Sequence, residues 1–361
     1  MGNLFVVFMP FQLFVAQQII HQEGLKDNVL LLGYRELRDF SQIYDMICID
    51  DMWKKKIDFH DIAIWNGVHT HSFTDIRNCY ANYKKIKQIL EENNIKNIYL
   101  GEIKNDALRF TAVVFHHRGY KIIYFEEGSS HYLQQPSIKR KGIFIKAKEL
   151  IQDYLYYLPI YHVKYAMFRY NYGLLTDHIP IDERYSIVPG YYHESFDKRL
   201  YVDKDLLSEQ LNGYLQQFDF NNNNERILFL SESHDEGHRK DECFYAIIRK
   251  RFSELPKGSL LYIKFHPRAH DDARKEIISI AESFGLHYIV VAKEVNIPVE
   301  YILMKWRFDK IILFNSSVYF YNGYIYDKTE IESLMPQLYE ECKRQGVGNL
   351  TTMKATVSVM H

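Results

Sequence analysis

The chain has 361 residues, 47% hydrophobic and 25% charged, with a formal net charge of −1. That length is enough for two domains of ordinary size, each with its own core, and the near-zero charge excludes a general attraction to nucleic acid. Cys48, Cys79, Cys243 and Cys342 lie far apart without metal-ligand spacing, so they read as reduced thiols of a cytosolic protein, not as a disulfide framework.

The first residues show no basic segment followed by a long apolar core, and no run of eighteen apolar residues occurs. A cytoplasmic location is therefore expected. In chain order, "LFVVF" (4–8) reads as a first strand and "QLFVAQQIIHQE" (12–23) as the helix after it. Strands follow at "NVLLLG" (28–33), "DIAIW" (61–65), "IKNIYLG" (95–101) and "KIIYF" (121–125), with a helical pattern at "ANYKKIKQILEENN" (81–94). Repeated strand–loop–helix units predict an α/β, doubly wound parallel sheet that binds ligands beyond the carboxyl ends of its strands.

Residues 137–173 are basic at their start and densely aromatic after it. They read either as a basic amphipathic surface resting on the anionic inner face of a membrane or as helices packing across the domain junction. A second α/β unit begins after the linker-like "FDFNNNNE" (218–225). Its strands are "RILFLSES" (226–233), "SLLYIKFHP" (259–267), "HYIVVA" (287–292) and "KIILFNSS" (310–317), with helical patterns at 240–255 and 272–285. The chain is thus expected to form two Rossmann-like domains facing a cleft, divided at residues 1–185 and 186–361.

Four short stretches carry potential chemistry. "FEEGSS" places Glu126, Glu127, Gly128 and Ser129 at a strand end; "KFHPR" carries Lys264, His266 and Pro267; "IPVEYILM" carries Glu300; "FNSSVYF" carries Ser316 and Ser317. Each has an ordinary structural reading: a solvated turn, a proline strand stop, a first-turn helix acid, an N-cap. Together their chemistries are complementary. A carboxylate can take a proton from a hydroxyl, a histidine can give one to a departing phosphate, and serine hydroxyls can cradle that phosphate. The pairs Asp50–Asp51 and Asp271–Asp272 read as solvated turns. The "HTH" of His69–His71 lacks a third metal ligand nearby, and His116–His117 ends a helical pattern.

This set resembles bacterial sialyltransferases of the GT-B fold, including the lipooligosaccharide and capsule sialyltransferases and the polysialyltransferases. Those families share an acidic-acidic-glycine motif, matched by Glu126-Glu127-Gly128, a His-Pro motif, matched by His266-Pro267, and a serine pair, matched by Ser316-Ser317. Glu300 matches a glutamate shortly before the serines. Pro10 and Gln12 match a Pro-x-Gln element after the first strand, with Met9 standing where the families carry a threonine. The matches run from residue 4 to about 320, in the families' order.

The resemblance implies an inverting transfer of sialic acid from CMP-sialic acid to a surface glycan, lipooligosaccharide or capsule, without metal or other cofactor. In that scheme Glu127, or its neighbour Glu126, is the general base on an acceptor-side domain, and His266 is the acid toward the CMP phosphate. Ser316 and Ser317 hold that phosphate, Glu300 holds the ribose or cytosine, and Lys264 adds positive charge. Gly128, Ser129, Pro267, Pro10 and Gln12 complete the substrate contacts. The closest enzymatic alternative is transfer of Kdo from CMP-Kdo, and the non-enzymatic one is a nucleotide- or glycan-binding protein.

Overall fold

The computed structural model describes residues 2–33, 40–59, 73–101, 106–126, 128, 147, 180–189, 197–217, 225–232, 240–267, 269–292, 295–348 and 350–359. The chain divides into two compact units, Met1–Glu127 with Ser137–Glu209, and Gly128–Pro136 with Gln210–His361.

In the first unit the strands are β1 (Gly2–Val7), β2 (Asn28–Gly33), β3 (Lys55–Phe59), β4 (Ile95–Leu100), β5 (Lys121–Phe125), β6 (Glu183–Ser186) and β7 (Asp197–Arg199). The helices are α1 (Pro10–Glu23), α2 (Ser41–Ile47), α3 (Phe73–Glu92) and α4 (Asp106–His117). All strand pairs are parallel, in the order β3-β2-β1-β4-β5-β6-β7. β1 and β2 are buried along their whole length. This explains their unbroken apolar runs, since a parallel strand covered on both faces has no polar side to show. The central strands and α3 and α4 share one core, in which Leu4, Ile98 and Ile122 meet Ile86, Leu90 and Phe115.

A strand not expected from the sequence, "KKIDF", is held by β2 in the register Leu31 to Ile57, and the expected "DIAIW" lies outside the described residues. The domain boundary moves from 185 to 209, because β6 pairs with β5 and β7 with β6, extending the first sheet past residue 185.

In the second unit, α5 (Glu209–Gln216) is followed by β8 (Arg226–Leu230), α6 (Lys240–Ser253), β9 (Leu260–Lys264), α7 (Asp271–Ser283) and β10 (His287–Val290). Then come α8 (Val299–Lys305), β11 (Lys310–Leu313), α9 (Val318–Tyr321), β12 (Glu330–Ser333), α10 (Met335–Gln345) and α11 (Leu350–Val359). Its five strands are parallel, in the order β10-β9-β8-β11-β12. Ile227, Phe229, Ile263 and Ile312 form its core with Ile248 and Phe252 of α6 and Ile277 of α7. Each such side chain contributes about 1.5–3 kcal/mol on burial. In both sheets the order reverses beside the first strand, at β1/β4 and at β8/β11, and a ligand crevice opens beyond the carboxyl ends at such a point.

Candidate functional site

The carboxyl edge of the second sheet is tied together by side chains that follow its strands. Ser231, just past β8, accepts the His266 backbone N–H at 2.9 Å through Oγ. Glu232 Oε1 accepts the Asn315 N–H at 2.9 Å, so the loops after β8 and β11 are joined at the reversal point. Arg274 of α7 donates through Nε to the Ala269 carbonyl at 3.1 Å and lies 5.7 Å from the Phe265 ring, so it contacts residues on both sides of the His-Pro turn. His266 is half-buried, Pro267 is exposed, and Ser316 and Ser317 are half-buried. The histidine, the proline and both serines therefore occupy one edge of one sheet. Ser231 and Glu232 were not singled out from the sequence; the available signal was two polar residues straight after the apolar "RILFL".

Lys264 and Glu300 are placed differently from expectation. Lys264 is 6% exposed, and its ammonium donates to Asn296 Oδ1 and, at 3.4 Å, to the Phe265 carbonyl. It adds no exposed cation to the edge. Burial pushes its pKa down to about 7; the Glu300 carboxylate opposes that shift and Arg274 reinforces it. Glu300, expected on the ribose or cytosine, is 5% exposed at the start of α8, where Oε1 accepts the Ser317 hydroxyl at 3.1 Å. Burial raises its pKa, while its own backbone N–H, Ser317 and Lys264 pull it the other way. The lysine and glutamate thus form a coupled buried pair beneath the serines, each drawn toward neutrality by desolvation and held toward ionisation by the other.

In the first unit Glu126, Pro10 and Gln12 also go inward. Glu126, directly after β5, has no exposed surface, and Oε2 accepts the Ile187 N–H at 2.7 Å. Its backbone N–H donates to the Tyr185 carbonyl, so Glu126 joins the ends of β5 and β6. Glu127 and Ser129 lie outside the described residues. Gly128 has φ of 120°, a region that side-chain-bearing residues avoid, and this gives a backbone reason for glycine in the motif.

Pro10 occupies the first turn of α1, where its missing N–H and fixed φ suit a helix start, and it is buried. Gln12 is 0% exposed; Oε1 accepts the Phe8 N–H at 2.7 Å and Nε2 donates to the Gly101 carbonyl at 3.0 Å. A Cβ on Gly101 would sit 2.8 Å from Phe125 and 2.9 Å from Gln12, so only glycine lets the loop close on that amide. Gln12 therefore ties the end of β1 to the end of β4, with Pro10 buried beside it at the start of α1.

Among the described residues no group of three His, Cys, Asp or Glu is placed to hold a metal ion, and His69–His71 lie outside them. His116 Nε2 lies 3.4 Å from Asp182 Oδ1, a structural contact at the end of α4. Asp50 is exposed and pairs with Lys56 at 2.7 Å, and Asp271 and Asp272 open α7 exposed. The basic and aromatic 137–173 stretch is described only at residue 147. Among the described residues no helix is long and apolar enough to cross a membrane.

A family model described as alpha-2,8-polysialyltransferase matches residues 3–335. No curated protein matches the chain significantly. Of solved structures, the UDP-GlcNAc 2-epimerase of Methanocaldococcus jannaschii is similar at 10% identity and a TM-score of 0.50, covering 99% of this chain and 92% of that one. Acinetobacter baumannii MurG is similar at 7% identity and a TM-score of 0.44, covering 100% and 94%. The putative UDP-N-acetylglucosamine 2-epimerase of Listeria monocytogenes gives 10%, 0.48, 88% and 75% in the same terms. The two parallel-sheet units are those of the GT-B fold.

Proposed function

The chain belongs to the alpha-2,8-polysialyltransferase family and is a glycosyltransferase, and from that premise we propose that it transfers sialic acid from CMP-sialic acid, with inversion, to a hydroxyl of a bacterial surface glycan. The observation that carries this reading is the second sheet's carboxyl edge. There His266 and the serine pair lie at the end of one sheet, on loops cross-tied by Ser231 and Glu232.

The donor's anomeric carbon is tertiary and bears a carboxylate. It parts from CMP through an oxocarbenium-like state, so a well-placed acceptor oxygen matters more than a strong nucleophile. His266 protonates the departing phosphate, a transfer contributing on the order of 10²–10⁴-fold in rate. A serine hydroxyl donates to the same phosphate as its charge grows. Glu127 takes the acceptor proton; the commitment of Glu126 Oε2 to the Ile187 N–H supports assigning the base to its neighbour. Direct attack by the acceptor oxygen inverts the anomeric centre and leaves no covalent glycosyl-enzyme. A monophosphate leaving group can be neutralised by a proton and hydrogen bonds, and the reaction is accordingly expected to proceed without metal.

The test incubates the purified protein with CMP-sialic acid or CMP-Kdo and a panel of labelled acceptors: galactose-terminated lipooligosaccharide, capsule repeats and oligosialic acid, each with and without EDTA. Sialic acid transfer insensitive to EDTA is expected, with the product configuration read by NMR. Transfer from CMP-Kdo alone, or from neither donor, removes the reading. Glu127→Gln should abolish transfer while leaving CMP binding intact, and His266→Ala should lower kcat by at least about a hundredfold. Normal turnover in either variant reassigns that role.

A further inference from the structure

The two serines of the edge are not equivalent. A serine hydroxyl has one hydrogen to donate. Ser317 Oγ gives its hydrogen to Glu300 Oε1 at 3.1 Å, whereas Ser316 Oγ accepts the Val318 N–H at 3.3 Å and keeps its hydrogen for another acceptor. Glu300 is fixed in turn. It is 5% exposed, and the Lys264 ammonium that attracts it is held by Asn296 and the Phe265 carbonyl.

Resting on the CMP-donor reading above, we propose that Glu300, backed by Lys264, is a positioning residue that anchors Ser317, so that Ser316 alone supplies the hydroxyl that donates to the donor phosphate. A phosphate oxygen brought to Ser317 Oγ meets lone pairs, because the only hydrogen points at Glu300, and acceptor against acceptor repels. Turning that hydroxyl toward the ligand leaves a buried carboxylate short of a hydrogen bond. Ser316 has the opposite arrangement: a backbone N–H occupies a lone pair and aligns the oxygen, and the hydrogen remains for the ligand.

The test measures the affinity of the full chain for CMP and cytidine, and for UMP and uridine, by titration calorimetry. In each pair the monophosphate-to-nucleoside ratio isolates the phosphate contact. Ser316→Ala should lower that ratio about tenfold, Ser316→Thr should restore it, and Ser317→Ala should leave it within about twofold of the unmodified chain. In a Glu300→Ala background the Ser317 hydroxyl is released to the ligand, so Ser317→Ala should now lower the ratio there, a coupling that a purely structural role does not produce. An equal fall in Ser316→Ala and Ser317→Ala overturns the assignment, as does no change in Ser316→Ala. A preference for the uridine pair with the same serine pattern would remove the CMP reading and keep this one. No preference for either monophosphate in the unmodified chain would remove both.

Discussion

A lysine with almost no exposed surface at the end of β9 sets a measurable pH signature. Burial moves Lys264 from its ordinary 10.5 to about 7, against the pull of Glu300 and with the help of Arg274, the charged groups that act on it. Between those two values the unfolded chain holds a proton that the folded chain has released, so raising the pH favours folding. Glu300 acts in the opposite direction in a lower window that opens at its ordinary 4.5, where the folded chain keeps the extra proton. The reference is therefore a Lys264→Met/Glu300→Gln variant, in which neither group titrates. Relative to it, urea unfolding should show the natural chain gaining up to about 1.4 kcal/mol per pH unit above neutrality. A difference that stays flat with pH would place Lys264 in contact with water. Sequence reasoning found Lys264, His266 and the serines because they follow apolar strands. It could not tell which carboxylates face inward, since nothing local in "FEEG" shows that the fold covers Glu126 completely.

At the scale of the element, α1 shows why periodicity conveyed only part of the architecture. Four of its glutamines each accept a backbone N–H on Oε1 and donate Nε2 to a backbone carbonyl. Gln12 joins Phe8 to Gly101, Gln17 joins Ile49 to Ile47, Gln18 binds both backbone groups of Asp203, and Gln22 joins Tyr201 to Arg199. Gln18 and Gln22 tie α1 to residues 199–203, the segment that the sequence-drawn boundary assigned to the wrong domain. A polar residue inside a helix reads as solvent-facing, and nothing local shows that its amide completes a distant loop. The same holds for β6 "ERYS", β7 "DKR" and β12 "EIES": they are strands because a neighbour pairs with them, not because their residues prefer it. The four clamps share one bonding pattern but differ in burial: Gln12 and Gln18 are 0% and 1% exposed, whereas Gln22 is exposed. Gln12→Leu should therefore cost about 2–4 kcal/mol, because two buried backbone groups lose their partners, while Gln22→Leu should cost under about 1 kcal/mol, because water replaces it. Equal losses by urea unfolding would show that the amide pattern, not its burial, determines the stability.

Among the described residues, two sheets that share the order of their first five strands offer two reversal points, and the chain equips them unequally. At β1/β4 the Gln12 amide and Gly101 close the edge from within. At β8/β11 the edge keeps a half-buried histidine and two half-buried serines. If the nucleotide is held at the second point, CMP stabilises the unit that contains it against opening by RT ln(1 + [L]/Kd), or about 2.7 kcal/mol at a hundredfold excess over Kd. Amides of β8, β9 and β11 that exchange through opening of that unit should then slow by about a hundredfold in hydrogen exchange. Amides of β2 and β3 should exchange as before, because they belong to the other compact unit, whose opening CMP held at β8/β11 does not oppose. Slowing confined to the first sheet would place the nucleotide beside Gln12 and dismantle the roles given to His266 and Ser316. Slowing confined to the second would give Ser231, Glu232 and Arg274 their purpose: they hold one sheet edge still while a charged group departs from it.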